Sequence, residues 1–115
     1  MLPKLNRLKR IKDFEEVFKK GQGYKEDFIY LKINRNNLKS TRFGFIVSKK
    51  FSKKAVMRNS LRRKISEIIS NRLDGIKKGF DCIMIIRPGL KINDFWELDK
   101  RIDILFKKAN LFKSK

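Results

Sequence analysis

The chain has 115 residues and contains no histidine, one cysteine and two prolines. Without histidine it lacks the commonest general base at neutral pH, and with it most zinc sites and most Ser–His or Cys–His nucleophile arrangements. The lone Cys82 lies inside the apolar run "FDCIMII" and cannot build a disulfide framework. No apolar run approaches the roughly 20 residues of a membrane-spanning helix. The start "MLPKLNRLKR" has no unbroken apolar segment of the signal-peptide kind. These features read together as a reduced, cytoplasmic protein with no membrane partner. The six glycines form no phosphate-cradling loop. The most telling scarcity is of acid: from Phe28 to Ser66 there is no Asp or Glu, while twelve Lys or Arg fall in that span. Metal-dependent nucleases gather carboxylates beside their substrate. The basic region here has none, so the reading assigns no catalytic residue and no metal ligand, and the chain is a binder.

What is abundant is positive charge, +19 net. A charge of that size attracts polyanions over long range and opposes compaction without one. The first twelve residues add five cations and no acid. Hydrophobic residues make up 41% of the chain, with ten Phe, enough for a modest core in one domain. A membrane-surface helix wants a broad apolar face with Trp or Phe. The basic segment offers Leu and Ile, which a folded core claims, so nucleic acid is the expected partner.

Neither repeat nor linker interrupts the sequence, which reads as a single RNA-binding domain, 1–115, with a basic arm over about 1–12. "DFEEVFKKG" predicts a helix capped by Asp13, with Glu16 in the capping-box position and Gly21 at its end. Phe14, Val17 and Phe18 share a face. "DFIYLKINR" alternates as a strand, with Ile29, Leu31 and Ile33 on one side and Phe28, Tyr30 and Lys32 on the other. "RFGFIVSK" predicts a strand with Phe43, Phe45 and Val47 on one face. Residues 56–73 predict a long helix ending near Gly75, with Leu61, Ile65, Ile68 and Arg72 in one stripe. "FDCIMIIR" is a strand buried on both faces, in mid-sheet. "RPGLKIN" is a loop, and Asp94 with Glu97 caps a last helix whose Phe95, Leu98, Ile102, Leu105 and Ala109 face the core. The order is α-β-β-α-β-α, with room for a short extra strand near Gln22–Lys25. The expected fold class is α/β (α+β): a two-layer sandwich of helices on a small mixed sheet.

The segment "KKFSKKAVMRNSLRRKISE", residues 49–67, concentrates eight cations. Arg58, Asn59, Arg62 and Arg63 project together over about a turn and a half of helix. Guanidinium forks suit phosphate oxygens, and an Asn amide can donate to phosphate or ribose. "IVSKK", "AVMRN" and "LRRKISE", in that order, resemble the signature of the bacterial ribonuclease P protein subunit. "RLKRIKDFEEVFKKG" resembles that family's first helix and arm, "FDCIMIIRPG" its late strand, and "LFKKANLF" the end of its last helix. The resemblance spans nearly the whole chain. Ser60 and Ser66 depart from it, standing where the family pattern has cations.

That resemblance implies a protein cofactor of ribonuclease P, the non-catalytic subunit of an endoribonuclease. Its large catalytic RNA removes the 5′ leader of precursor tRNA with Mg²⁺ bound mainly by RNA, one protein serving each RNA. It implies an α/β sandwich with a left-handed β-α-β crossover, against the general right-handed rule. By position, Lys49, Lys50, Lys53, Lys54, Arg58, Asn59, Arg62, Arg63 and Lys64 face the catalytic RNA. Arg7, Lys9, Arg10, Phe14, Phe18 and Tyr30 line a cleft for the single-stranded leader, where aromatic rings stack on unpaired bases. Charge and size alone equally suit a structural RNA-binding protein such as a ribosomal protein. A DNA-binding protein using helix 56–73 in the major groove fits less well, because no adjoining short helix completes a helix-turn-helix.

Overall fold

The computed structural model describes residues 2–50, 52–87 and 95–113, with Phe95 described by its backbone alone. Four strands, β1 (Gln22–Glu26), β2 (Ile29–Arg35), β3 (Arg42–Val47) and β4 (Phe80–Ile86), form one sheet in the order β1-β2-β4-β3. The helices are α1 (Ile11–Lys20), α2 (Ala55–Ser70) and α3 (Phe95–Lys108). β1 is the short extra strand near Gln22. It pairs antiparallel with β2 through a two-residue turn, in which Asp27 takes a positive φ of 49°. β4 runs antiparallel to β2 and parallel to β3, giving the mixed sheet, and α2 bridges the parallel pair.

Strand alternation sorts the sheet into two faces. Ile29, Leu31, Ile33, Phe43, Val47, Cys82, Met84 and Ile86 point to one side. There they meet Leu61, Ile65, Ile68 and Ile69 of α2 and Leu98, Ile102, Leu105 and Phe106 of α3. Each such side chain contributes about 1.5–3 kcal/mol by leaving water. The second face holds a much smaller cluster, in which Val17 and Phe14 of α1 and Leu8 of the arm pack on Ile83, Ile46 and Ile85. β4 supplies both clusters, which is why its sequence is apolar without alternation.

Gly44 makes the α1 contact possible. A Cβ there would come within 2.4 Å of the Phe14 ring. The N-terminal arm is docked: Leu2 and Leu8 are buried, and the Leu8 amide donates to the Phe43 carbonyl at 2.9 Å. Arg7 bridges Phe43 along the free edge of β3.

Three expectations are corrected. α1 starts two residues before Asp13, with Arg10 at its N-cap and no side-chain cap. Asp13 instead turns to Arg42, whose guanidinium binds Asp81 at 2.8 and 2.6 Å and Asp13 at 3.3 Å. Glu16 pairs with Lys20. The helix expected over 56–73 ends as an α-helix at Ser70, followed by a 3-10 turn at Leu73–Gly75. The Arg72 amide donates to Ile69, tightening the backbone. Arg72 therefore leaves the apolar stripe and bonds Asp99 and Asp103 of α3 at 2.7 and 3.4 Å. The loop "RPGLKIN" beyond Arg87, the Asp94 cap and the Phe95 side chain lie outside the described residues.

Candidate nucleic-acid interface

α2 is positioned by its buried stripe and presents its cations on the other side. Its N-terminus runs against the usual charge order. Lys54 is the N-cap residue, without a side-chain cap, and the first turn has no acid and the last turn no base. α1 carries Asp13 in its first turn and Lys19 and Lys20 in its last. α3 carries Glu97 and then Lys107 and Lys108. A helix N-terminus carries partial positive charge, so cations there repel it while an anion is attracted by both.

Around that end, local bonds order the basic side chains. The Ser48 hydroxyl accepts from the Lys50 amide at 3.1 Å, and that of Ser52 from the Lys54 amide at 3.2 Å. Arg58 donates to the Ser52 carbonyl at 2.8 Å, tying the helix to the preceding turn. Arg62 donates to the Asn59 side-chain oxygen at 2.7 Å, so these two residues form one unit. Asn59 and Arg63 are exposed; Arg58, Arg62 and Lys64 are half-buried.

The arginines divide by partner. Arg42, Arg72 and Arg101 are neutralised by Asp13 and Asp81, by Asp99 and Asp103, and by Asp27 and Glu97. The hydrogen bonds that Arg42 donates to Asp81 and Arg72 to Asp99 raise the pKa of both guanidinium groups above the ordinary value. Among the described residues, no carboxylate pairs with any cation from Lys49 to Lys64. That surface carries uncompensated charge.

The proposed cleft residues fall into two places. On the sheet face that α1 covers only in part, Tyr30 lies under Arg87 at 4.3 Å and Lys25 at 5.5 Å, measured to the ring centre. With Lys32 and Ile85 they line a cavity of about 440 Å³. Lys32 donates to the Phe18 carbonyl at 3.2 Å, tying the cavity rim to α1, and the Phe18 side chain is exposed. Phe14 lines a separate cavity of about 250 Å³ with Arg7, Lys9 and Ser66. Two arm cations therefore stand beside the α2 serine that lacks a charge. Arg10 is exposed at the start of α1. Arg87, Lys25 and Ile85 were not singled out in the sequence. The strand alternation that puts Lys32 beside Tyr30, and the Arg that closes "FDCIMIIR", were the available signals.

Burial pushes the Cys82 thiol well above its usual pKa, keeping it neutral. Among the described residues, no group of three or more His, Cys, Asp or Glu could hold a metal ion, and no helix is long and apolar enough to cross a membrane.

A family model described as Ribonuclease P matches residues 2–110. The chain belongs to the ribonuclease P protein family. It is 35% identical over 112 residues to the ribonuclease P protein component of Pseudanabaena sp., covering 96% of this chain and 97% of that one. It is 33% identical over 110 residues to that of Clostridium botulinum, covering 95% and 98%. The ribonuclease P protein of Thermotoga maritima superposes with a TM-score of 0.79 at 31% identity, over 88% of this chain and 96% of that one. That of Staphylococcus aureus gives 0.86 at 28%, over 94% and 98%. The family supplies the protein subunit of the ribonuclease P endoribonuclease, which acts in tRNA 5′ processing and pairs with the ribonuclease P RNA.

Proposed function

We propose that the α2 face holds the catalytic RNA of ribonuclease P, and that the partly open sheet face beside α1 holds the 5′ leader of precursor tRNA. The observation that carries this reading is the division of the arginines. Arg42, Arg72 and Arg101 have carboxylate partners, and among the described residues the arginines of α2 have none. Arg58, Asn59, Arg62, Arg63 and Lys64, extended by Lys49, Lys50, Lys53 and Lys54, meet RNA phosphates as bidentate or point-charge contacts. Tyr30 and Phe18 offer stacking surfaces for unpaired bases, with Phe14 holding α1 against the sheet. Arg7, Lys9 and Arg10 attract the leader backbone.

In this reading the chain is one RNA-binding domain with its arm, acts in the cytoplasm, and serves one RNA per protein. The β3-α2-β4 connection takes the left-handed sense. Mg²⁺ sits on the RNA, and six of the chain's twelve carboxylates are engaged by arginine. The protein's share of the reaction is to bind, orient and neutralise.

Reconstitution tests this. The protein alone leaves precursor tRNA intact, and added to its cognate catalytic RNA at low Mg²⁺ it restores 5′ cleavage. Unchanged cleavage on adding the protein overturns the proposal. Recovery of ribosomal RNA with the purified protein, in place of a single ribozyme RNA, points instead to a structural RNA-binding role.

A further inference from the structure

A second group of uncompensated cations lies at the opposite end of the sheet from the start of α2. Arg35, at the end of β2, pairs with Phe80, at the start of β4. The chain leaves β3 for α2 at Val47, whose partner is Ile86. The length of β4 separates the two ends, about 20 Å. At the Arg35 end, cavities of about 570 and 500 Å³ share Arg35, Lys77 and Phe80 and form one groove. Each is within the roughly 300–1,000 Å³ of ordinary ligand sites. Lys78 adds to its rim, and no carboxylate lines it. Among the described residues Arg35, Lys77 and Lys78 have no acidic partner. The Arg35 guanidinium stands 5.6 Å from the centre of the half-exposed Phe80 ring.

An aromatic ring flanked by cations is the composition that single-stranded nucleic acid uses, with bases on the ring and phosphates on the charges. A membrane surface needs a projecting apolar face, and this groove is concave and polar. An acidic peptide would match the charge and leave the Arg35–Phe80 platform without a planar partner.

We infer that this groove binds a single-stranded segment of RNA, with a base on the Arg35–Phe80 platform and phosphates on Lys77 and Lys78. The inference rests on the RNA-binding reading above and adds a second contact, so that the protein grips RNA at both ends of its sheet.

The test uses the full chain with the catalytic RNA alone, and the holoenzyme with precursor tRNA. The double variant Arg35→Ala/Lys78→Ala changes two exposed side chains, and an unchanged melting temperature verifies its fold. Its Kd rises about tenfold or more for one of the two RNAs, and the salt slope falls by about 0.7, as for the one single-strand phosphate contact assigned to Lys78. Phe80→Leu weakens the same binding about fivefold or more and leaves the slope unchanged. Loss seen with the catalytic RNA alone assigns the segment to that RNA; loss seen with precursor tRNA only assigns it to the substrate. If both groove variants bind both RNAs normally while Arg62→Ala/Arg63→Ala weakens binding, the groove is overturned and the α2 reading stands. If the α2 variant also binds normally, both readings fall. Equal protection of Lys78 from acetylation by polyglutamate and by oligouridine also overturns the assignment to RNA.

Discussion

α2 and α3 lie side by side on one face of the sheet and follow opposite electrostatic plans. Their inner faces are alike, apolar and fully buried. Their outer charges are not. α3 has its acid at the N-terminus and its bases at the C-terminus, and its Arg101 is held by Asp27 and Glu97. α2 begins with lysine at the cap, has no acid in its first turn, and among the described residues its arginines have no carboxylate partner. Charge placed with the helix dipole is worth about 0.3–1 kcal/mol per group. α3 has that stabilisation in the free protein. α2 forgoes it. The inner face of a helix shows where it packs; the outer charge order shows whether its side chains serve the fold or a partner.

The comparison can be broken at its common part first. Ile65→Ala in α2 and Ile102→Ala in α3 should each cost about 2–5 kcal/mol in urea unfolding. A near-neutral Ile65→Ala would mean that α2 is not seated as α3 is. Arg72→Ala, which removes the ion-pair tie from the turn after α2 to α3, should cost about 1–3 kcal/mol by leaving Asp99 unpaired, while Asp103 keeps Lys107, with RNA affinity unchanged.

Lys54→Ser separates the two plans. It supplies a helix cap and removes a cation from the dipole's positive end, so stability should rise by about 1 kcal/mol. RNA affinity should fall in the same variant, and a gain in both would sink the reading. Arg62→Ala should leave the melting temperature unchanged and lower the salt slope of RNA binding by about 1. The smallest effect belongs to Glu16→Gln on α1, which breaks an exposed i,i+4 pair with Lys20. It should change stability by less than about 0.5 kcal/mol and leave RNA binding alone.

What could be read in the sequence was local. The stripe of Leu61, Ile65 and Ile68 and the cations around it repeat at helical spacing, so both faces of α2 were legible. The unbroken apolar run of β4 marked it as central. What escaped depends on distant partners. Asp13 had the right neighbours for a cap, yet its carboxylate bonds Arg42, 29 residues away. Arg72 had the spacing of the apolar stripe, but α2 ends before it and α3 offers two aspartates. Tyr30 was visible as an outward strand residue; the cations around it come from β1 and the end of β4, and only pairing across the sheet assembles them.

The place of β4 in the sheet also sets an order in time. β1 and β2 can close as a hairpin as soon as both exist, but among the described strands β3 has β4 as its sole neighbour. The ribosome must deliver the chain through Ile86 before the sheet can join. By then the whole acid-free stretch from Phe28 to Ser66 has already emerged. Pairings this distant in sequence form slowly. The basic segment is therefore delivered before the scaffold that aims it is complete.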